Sequence, residues 1–154
     1  MTNPETIFRA ARSEDVPAIV RLLADDPLGA RRENFADPLP AVYAAAFEAV
    51  KASPDNDIIV GESNGAVIAC LQLTYIPGLG RKGVLRAQIE AMRVASSMRG
   101  IRLGERLMQE AINRAVKRGC GLVQLTTDKE RADAHRFYER LGFIATHEGM
   151  KLEL

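Results

Sequence analysis

Apolar positions recur at two periods along this chain, and the switches between them outline its elements. Residues 7–10 are a short strand candidate, after which Ser13, Glu14 and Asp15 offer an N-cap and an acidic first turn. Val16, Ile19, Val20 and Leu23 then repeat at helical spacing. Residues 25–29, with two aspartates, a proline and a glycine, end that helix; residues 30–40 are charged, contain Pro38 and Pro40, and predict a loop. Residues 41–52 are alanine-rich, with Val42, Phe47 and Val50 as apolar positions, and predict a second helix. The period then drops to two. Residues 57–61 and 66–74 are β-rich runs around Asn64-Gly65, the strongest short hairpin signal. A loop at 76–80 leads to a strand at 85–94, where regular alternation puts Gln88, Glu90, Met92 and Val94 on one face. Residues 104–118 place Leu107, Met108, Ala111, Ile112, Ala115 and Val116 in one helical stripe, stopped by Gly119 and Gly121. A short strand at 122–126 precedes a helix that begins near Asp128 and carries Ala134, Phe137, Tyr138 and Leu141 up to Gly142. Residues 143–146 and 150–154 predict a closing strand pair. This order predicts one mixed α/β sheet domain over residues 1–154.

Composition narrows the class. With 154 residues, 47% apolar and 27% charged, the chain is long enough for one hydrophobic core and unlike disordered or fibrous sequences. No apolar run is long enough to span a bilayer and no signal-peptide stretch opens the chain, so a soluble, cytoplasmic protein is expected. Cys70 and Cys120 lie in apolar surroundings without CxxC spacing and read as reduced, buried thiols. The net charge of +1 conceals a gradient: residues 81–119 hold ten basic side chains against three acidic, whereas residues 1–80 hold six against eleven. A basic middle suits a polyanionic ligand.

Within that middle, a turn at residues 95–98 feeds Arg99, Gly100, Ile101, Arg102, Leu103 and Gly104, which open the long helix. Unpaired amides at a helix N-terminus, reinforced by Arg99 and Arg102, suit phosphate oxygens, while ordinary turn chemistry would also account for the glycines. No Walker lysine follows the glycines and GxGxxG is absent, which disfavours a nucleotide triphosphatase or a dinucleotide fold. The run from Arg99 to Gly104 resembles the pyrophosphate loop of the GCN5-related N-acetyltransferases, Arg/Gln-x-x-Gly-x-Gly/Ala. A second motif of that family, Ala-x-x-Phe-Tyr-x-x-x-Gly-Phe, is matched by Ala134, Phe137, Tyr138, Gly142 and Phe143. Two departures stand out. Arg102 replaces the family's middle glycine, and Arg131 stands where many relatives carry asparagine.

The resemblance implies a twisted, mostly antiparallel sheet of about seven strands flanked by four helices, with a V-shaped splay between the fourth and fifth strands. It also implies direct transfer of an acetyl group from acetyl-CoA to the primary amine of a small molecule. The cofactor residues are then Met92, Arg93 and Val94 on the fourth strand, the loop Arg99, Gly100, Ile101, Arg102, Leu103, Gly104 and Glu105, and Arg131 and Tyr138. Tyr138, whose phenol is protonated at neutral pH, is the expected general acid for the departing thiolate, although it could simply pack with Phe137 and Leu141. Glu90 is the expected base, directly or through an ordered water, or else a partner for a neighbouring cation. His135 and His147 lack metal-ligand spacing and read as structural or surface residues; no metal is expected. The basic residues are accounted for by cofactor phosphates, and 5% aromatic content leaves little for base stacking, so neither nucleic acid nor membrane is an expected partner. A homodimer is compatible with the apolar C-terminal strands. The alternative on the same scaffold is a non-catalytic acyl-CoA-binding or sensing module.

The acceptor stays open at this point. The second half resembles the small-molecule branch that includes aminoalkylphosphonate acetyltransferases, whose substrate would suit Arg31, Arg32, Arg81 and Lys82. Asp25, Asp26, Glu33 and Asp37 would suit a cationic acceptor instead.

Overall fold

The computed structural model describes residues 5–154, and the chain falls into two compact units divided between Gln124 and Leu125. The first carries a five-stranded sheet in the order β1 (Ile7–Ala10), β2 (Asn56–Ser63), β3 (Ala66–Ile76), β4 (Arg86–Val94), β5 (Leu122–Leu125). The pairs β1–β2, β2–β3 and β3–β4 are antiparallel. The β2–β3 hairpin closes on Asn64 and Gly65, at φ +50° and +77°, the two positive angles that a type I′ turn demands.

Helices α1 (Val16–Ala24), α2 (Pro27–Arg32) and α3 (Ala41–Ala52) connect β1 to β2. Ile19 and Leu22 of α1 pack on Val60 and Cys70, and Val16 and Val20 pack on Phe47 of α3. One sheet face is thereby covered. The other receives α5 (Leu103–Lys117), which lies against β3 and β4 and buries Leu103, Leu107, Met108, Ala111 and Ala115. Full burial of a side chain such as Leu107 stabilises the fold by about 1.5–3 kcal/mol. The short α4 (Gly80–Gly83) is a basic turn in which Arg81 and Lys82 are both left-handed. The second unit holds α6 (Ala132–Arg140), ended by Gly142 at φ +91°.

Four expectations need correction. The described residues form five strands and six helices instead of seven and four. The expected 30–40 loop starts only after Arg32, because α2 takes its first residues, and the start of α2 was read as a stop: Asp26 accepts the Gly29 amide and Pro27 occupies the first turn, which makes the pair a helix initiator. Residues 143–154 carry no strand, and Ile144, Met150, Leu152 and Leu154 are exposed. The fourth correction concerns β4.

Across β3 and β4, Ala69 pairs with Val94 and Cys70 with Arg93, yet Gln72 pairs with Glu90. One residue of β3 thus faces two of β4, and Ala91, at φ +53°, is the extra one. The bulge reverses the alternation. Val94 shares a face with Ile89 and Ala87, whereas Glu90 lies on the opposite face with Gln88 and Arg93. The expected common face of Gln88, Glu90, Met92 and Val94 does not exist.

Candidate functional site

β5 lies alongside only the first half of β4. The Gly121 amide donates to the Leu85 carbonyl (3.0 Å), and the Gln124 side-chain amide donates to Gln88 Oε1 (2.7 Å). Those two contacts advance in the same direction, so β5 runs parallel to the first half of β4. Because β5 has four residues and β4 nine, the stretch from Ala91 to Val94 extends past it. Ala95 donates its amide to Ile68 (2.9 Å), so strand alternation turns the main chain of Val94 and Met92 to the side where β5 has ended. The Met92 carbonyl accepts Arg93 Nη1 (2.8 Å). The stretch of β4 that β5 leaves uncovered includes Met92, Arg93 and Val94.

Beyond Val94, a 3₁₀ turn at Ser96–Met98 leads into the loop. Its first amide, on Ser96, is held by the Asp25 carboxylate at the end of α1 (3.2 Å). Gly100 and Arg102 are left-handed, at φ +82° and +58°, and Arg102 is the N-cap of α5. This accounts for the departure at position 102. The backbone has kept the conformation that glycine adopts freely, and the arginine tolerates it at a cost of about 1–2 kcal/mol. Arg99, Gly100 and Arg102 are exposed, Ile101 and Gly104 are half-buried, and Glu105 sits in the first turn of α5. Leu103 is 1% exposed, so only its backbone can contribute to a cradle.

The sequence-predicted catalytic groups fare differently. Glu90 is exposed, whereas regular alternation placed it among apolar neighbours. In the second unit Tyr138 is half-buried, with its ring edge-on to Phe137 (5.2 Å) and Phe143 (5.9 Å). The aromatic packing considered for it is thus present. Arg131 is the N-cap of α6, and His135 keeps its Nε2 buried without a hydrogen-bond partner.

Several loop groups weighed for the acceptor have structural work. Asp25 holds Ser96 and Asp26 caps α2; Glu33 accepts the Tyr43 hydroxyl (2.9 Å), which itself accepts the Asn34 amide (2.8 Å). Arg31 donates to the Pro27 carbonyl (3.2 Å). Arg81 and Lys82 are exposed. A cavity of about 480 Å³ opens beside Arg9, Arg12, Asp15, Arg21 and Glu62, but none of the expected cofactor residues lines it. There Arg9 bridges Asp15 (2.7 and 3.0 Å) and Glu62 (2.7 Å), and its guanidinium holds Asp15 below the usual carboxylate range. The Cys70 thiol is pushed up to about 12 by burial, which makes it a neutral core residue.

Sequence reasoning missed the bulge, the Asp25 anchor and a group of polar side chains on β2–β5. The bulge had a signal. Apolar residues occupy 87 and 89 and then 92 and 94, a slip of phase between Ile89 and Met92. The anchor had none, because Asp25 and Ser96 are 71 positions apart.

β4 outrunning β5, the bulge at Ala91 and the left-handed turns entering α5 stand next to one another along the chain. The model of the family described as acetyltransferase (GNAT) matches residues 17–143. This chain belongs to the GNAT family and is an N-acetyltransferase. A Salmonella typhimurium (strain LT2) protein named aminoalkylphosphonate N-acetyltransferase is 38% identical over 144 residues, covering 94% of this chain and 88% of that protein. A structure from Bacillus halodurans C-125, described as a transcriptional regulator, is 45% identical with a TM-score of 0.94, over 97% of this chain and 100% of that one. A Trypanosoma brucei acetyltransferase is 26% identical with a TM-score of 0.77, over 97% and 100%. Among the described residues no helix is long and apolar enough to cross a membrane, and no group of side chains has the makings of a metal site.

Proposed function

We propose that this chain works as one domain that transfers an acetyl group from acetyl-CoA to the primary amine of a small molecule. The observation that carries this reading is the bulge at Ala91 where β4 outruns β5, immediately ahead of the left-handed loop at α5. The loop fits a diphosphate: its backbone turns twice through positive φ to present the N-terminal amides of a fifteen-residue helix, and Arg99 and Arg102 lie exposed around it. Acetyl-CoA, when bound, supplies an activated thioester carbon. Met92, Arg93 and Val94 align the pantetheine arm through the open strand edge, and residues 99–105 together with Arg131 hold the phosphates. Tyr138 keeps the proton that the departing thiolate needs. Glu90, exposed at the cleft, draws the acceptor's ammonium and takes its proton through an ordered water. The resemblance to a named aminoalkylphosphonate acetyltransferase supports a small acceptor. The exposed Met150, Leu152 and Leu154 are apolar surface that a second copy would cover, and sedimentation should then show a dimer.

Release of free thiol from acetyl-CoA, followed with a panel of aminophosphonates, amino alcohols, polyamines and amino acids, tests the reading. Amine-dependent thiol release with at least one panel member is expected. Coenzyme A binding without acetylation of any amine would instead point to the sensing module. Arg99→Ala is expected to weaken coenzyme A binding about tenfold, as loss of one charge-assisted contact does; unchanged affinity removes Arg99 from the site.

A further inference from the structure

The sheet face that carries α1 and α3 is apolar around Ile58, Val60 and Cys70 and then becomes polar in a row that crosses four strands. Asn56 on β2 pairs with Thr74 on β3, Thr74 pairs with Gln88 on β4, and Gln88 accepts a hydrogen bond from Gln124 on β5. In the adjoining row, nearer the bulge, Gln72 pairs with Glu90. Asn56 Oδ1 accepts both the Thr74 hydroxyl (2.6 Å) and the Gln72 amide (3.2 Å), so both rows are stitched together. The intervening residues on the reverse face, Leu73, Tyr75, Ala87 and Ile89, are all buried. This polarity is therefore confined to one side. Five of the six residues are neutral and half-buried; the exception, Glu90, is charged and exposed. The row lies where β5 leaves β4, one register step from Ala91.

We infer that this row is the seat of the acceptor and that it selects a short, polar, aliphatic primary amine over an arylalkylamine. The inference rests on the transferase reading above and specifies its substrate class. A ring laid across the row would strip water from amides and a hydroxyl and return no hydrogen bonds. Sites built of such groups reject analogues that lack the matching polar atoms far more strongly than apolar pockets reject polar ones. A polar amine keeps those bonds, and its ammonium is drawn to Glu90, the single charge in the set. Thr74 and Gln72 touch the acceptor's body. Asn56 is a positioning residue, since its carbonyl fixes both.

The experiment compares ethanolamine with 2-phenylethylamine as acceptors, with coenzyme A affinity measured by calorimetry alongside. The native chain is expected to favour ethanolamine in kcat/KM by about a hundredfold or more. Thr74→Val is expected to lower that ratio about tenfold through KM for ethanolamine, with kcat and coenzyme A affinity nearly unchanged, and Thr74→Ser to restore it. Asn56→Ala should shift the ratio in the same direction as Thr74→Val. Equal or better use of 2-phenylethylamine, or a ratio unmoved in folded Thr74→Val and Asn56→Ala, overturns the inference. Coenzyme A binding with no acetylation of ethanolamine overturns the seat alone, whereas no coenzyme A binding overturns the transferase reading as well.

Discussion

Arg102 shows how a side chain and a backbone can answer to different demands. Its φ of +58° is the glycine-like requirement of the loop, and its guanidinium is an addition to it. Arg102→Gly should therefore leave thermal stability unchanged or raise it by up to about 1 kcal/mol, because relief of the left-handed strain opposes the entropy of glycine. The same variant should bind coenzyme A more weakly, by titration calorimetry, if the guanidinium reaches a phosphate; unaltered binding shows that amides alone do the work. Tyr138→Phe removes one hydroxyl from a ring held edge-on by Phe137 and Phe143. Turnover should fall by about 10²-fold or more while coenzyme A affinity is kept, and unaltered turnover would leave the ring a packing group only. Both residues were legible as motif positions. What motifs could not reveal was the backbone angle at position 102, because dihedrals are set by the turn and not by residue type.

At the scale of elements, the strands and long helices were written in the apolar periods, and their observed ends lie within a few residues of the pattern. The misses have physical causes. Asp26-Pro27 both stops α1 and starts α2, since the same side chain that breaks one helix caps the next. The closing strands were inferred from alternation alone, which describes a face but supplies no partner for it. The β1–α1 corner adds a pH dependence. Arg9 lowers the affinity of Asp15 for a proton, with desolvation opposing and the Arg12 amide assisting. A depressed carboxylate contributes stability above its unfolded value near pH 3.9, and that contribution is lost as pH falls through the folded value. Denaturant titrations should accordingly show stability declining below about pH 4, with the decline diminished in Asp15→Asn. At neutral pH that variant, which leaves Arg9 half-paired, should be less stable by about 3 kcal/mol.

For the molecule as a whole, the two ends of the charge gradient meet different structural fates. The basic middle contains the loop at α5, while the acidic front is largely spent on scaffolding: Asp15 on Arg9, Asp25 on Ser96, Glu33 on Tyr43. Counting charges marks the region where cations cluster, and the loop at α5 lies within it. It left the acceptor open, and short-range hydrogen bonds claim several of the acids weighed for it. The polar row across β2–β5 escaped notice for a related reason. Its members are scattered from Asn56 to Gln124, and only the sheet's register makes them neighbours.

Strand β4 is one residue longer than its ladder with β3 requires. Excise Ala91, and every remaining partnership, Glu90 with Gln72 and Arg93 with Cys70 included, can survive in an unbroken antiparallel ribbon. A protein shortened in this way should melt at or above the native temperature by calorimetry and yet acetylate nothing. On the proposed reading, the surplus residue is one that folding could discard and catalysis could not.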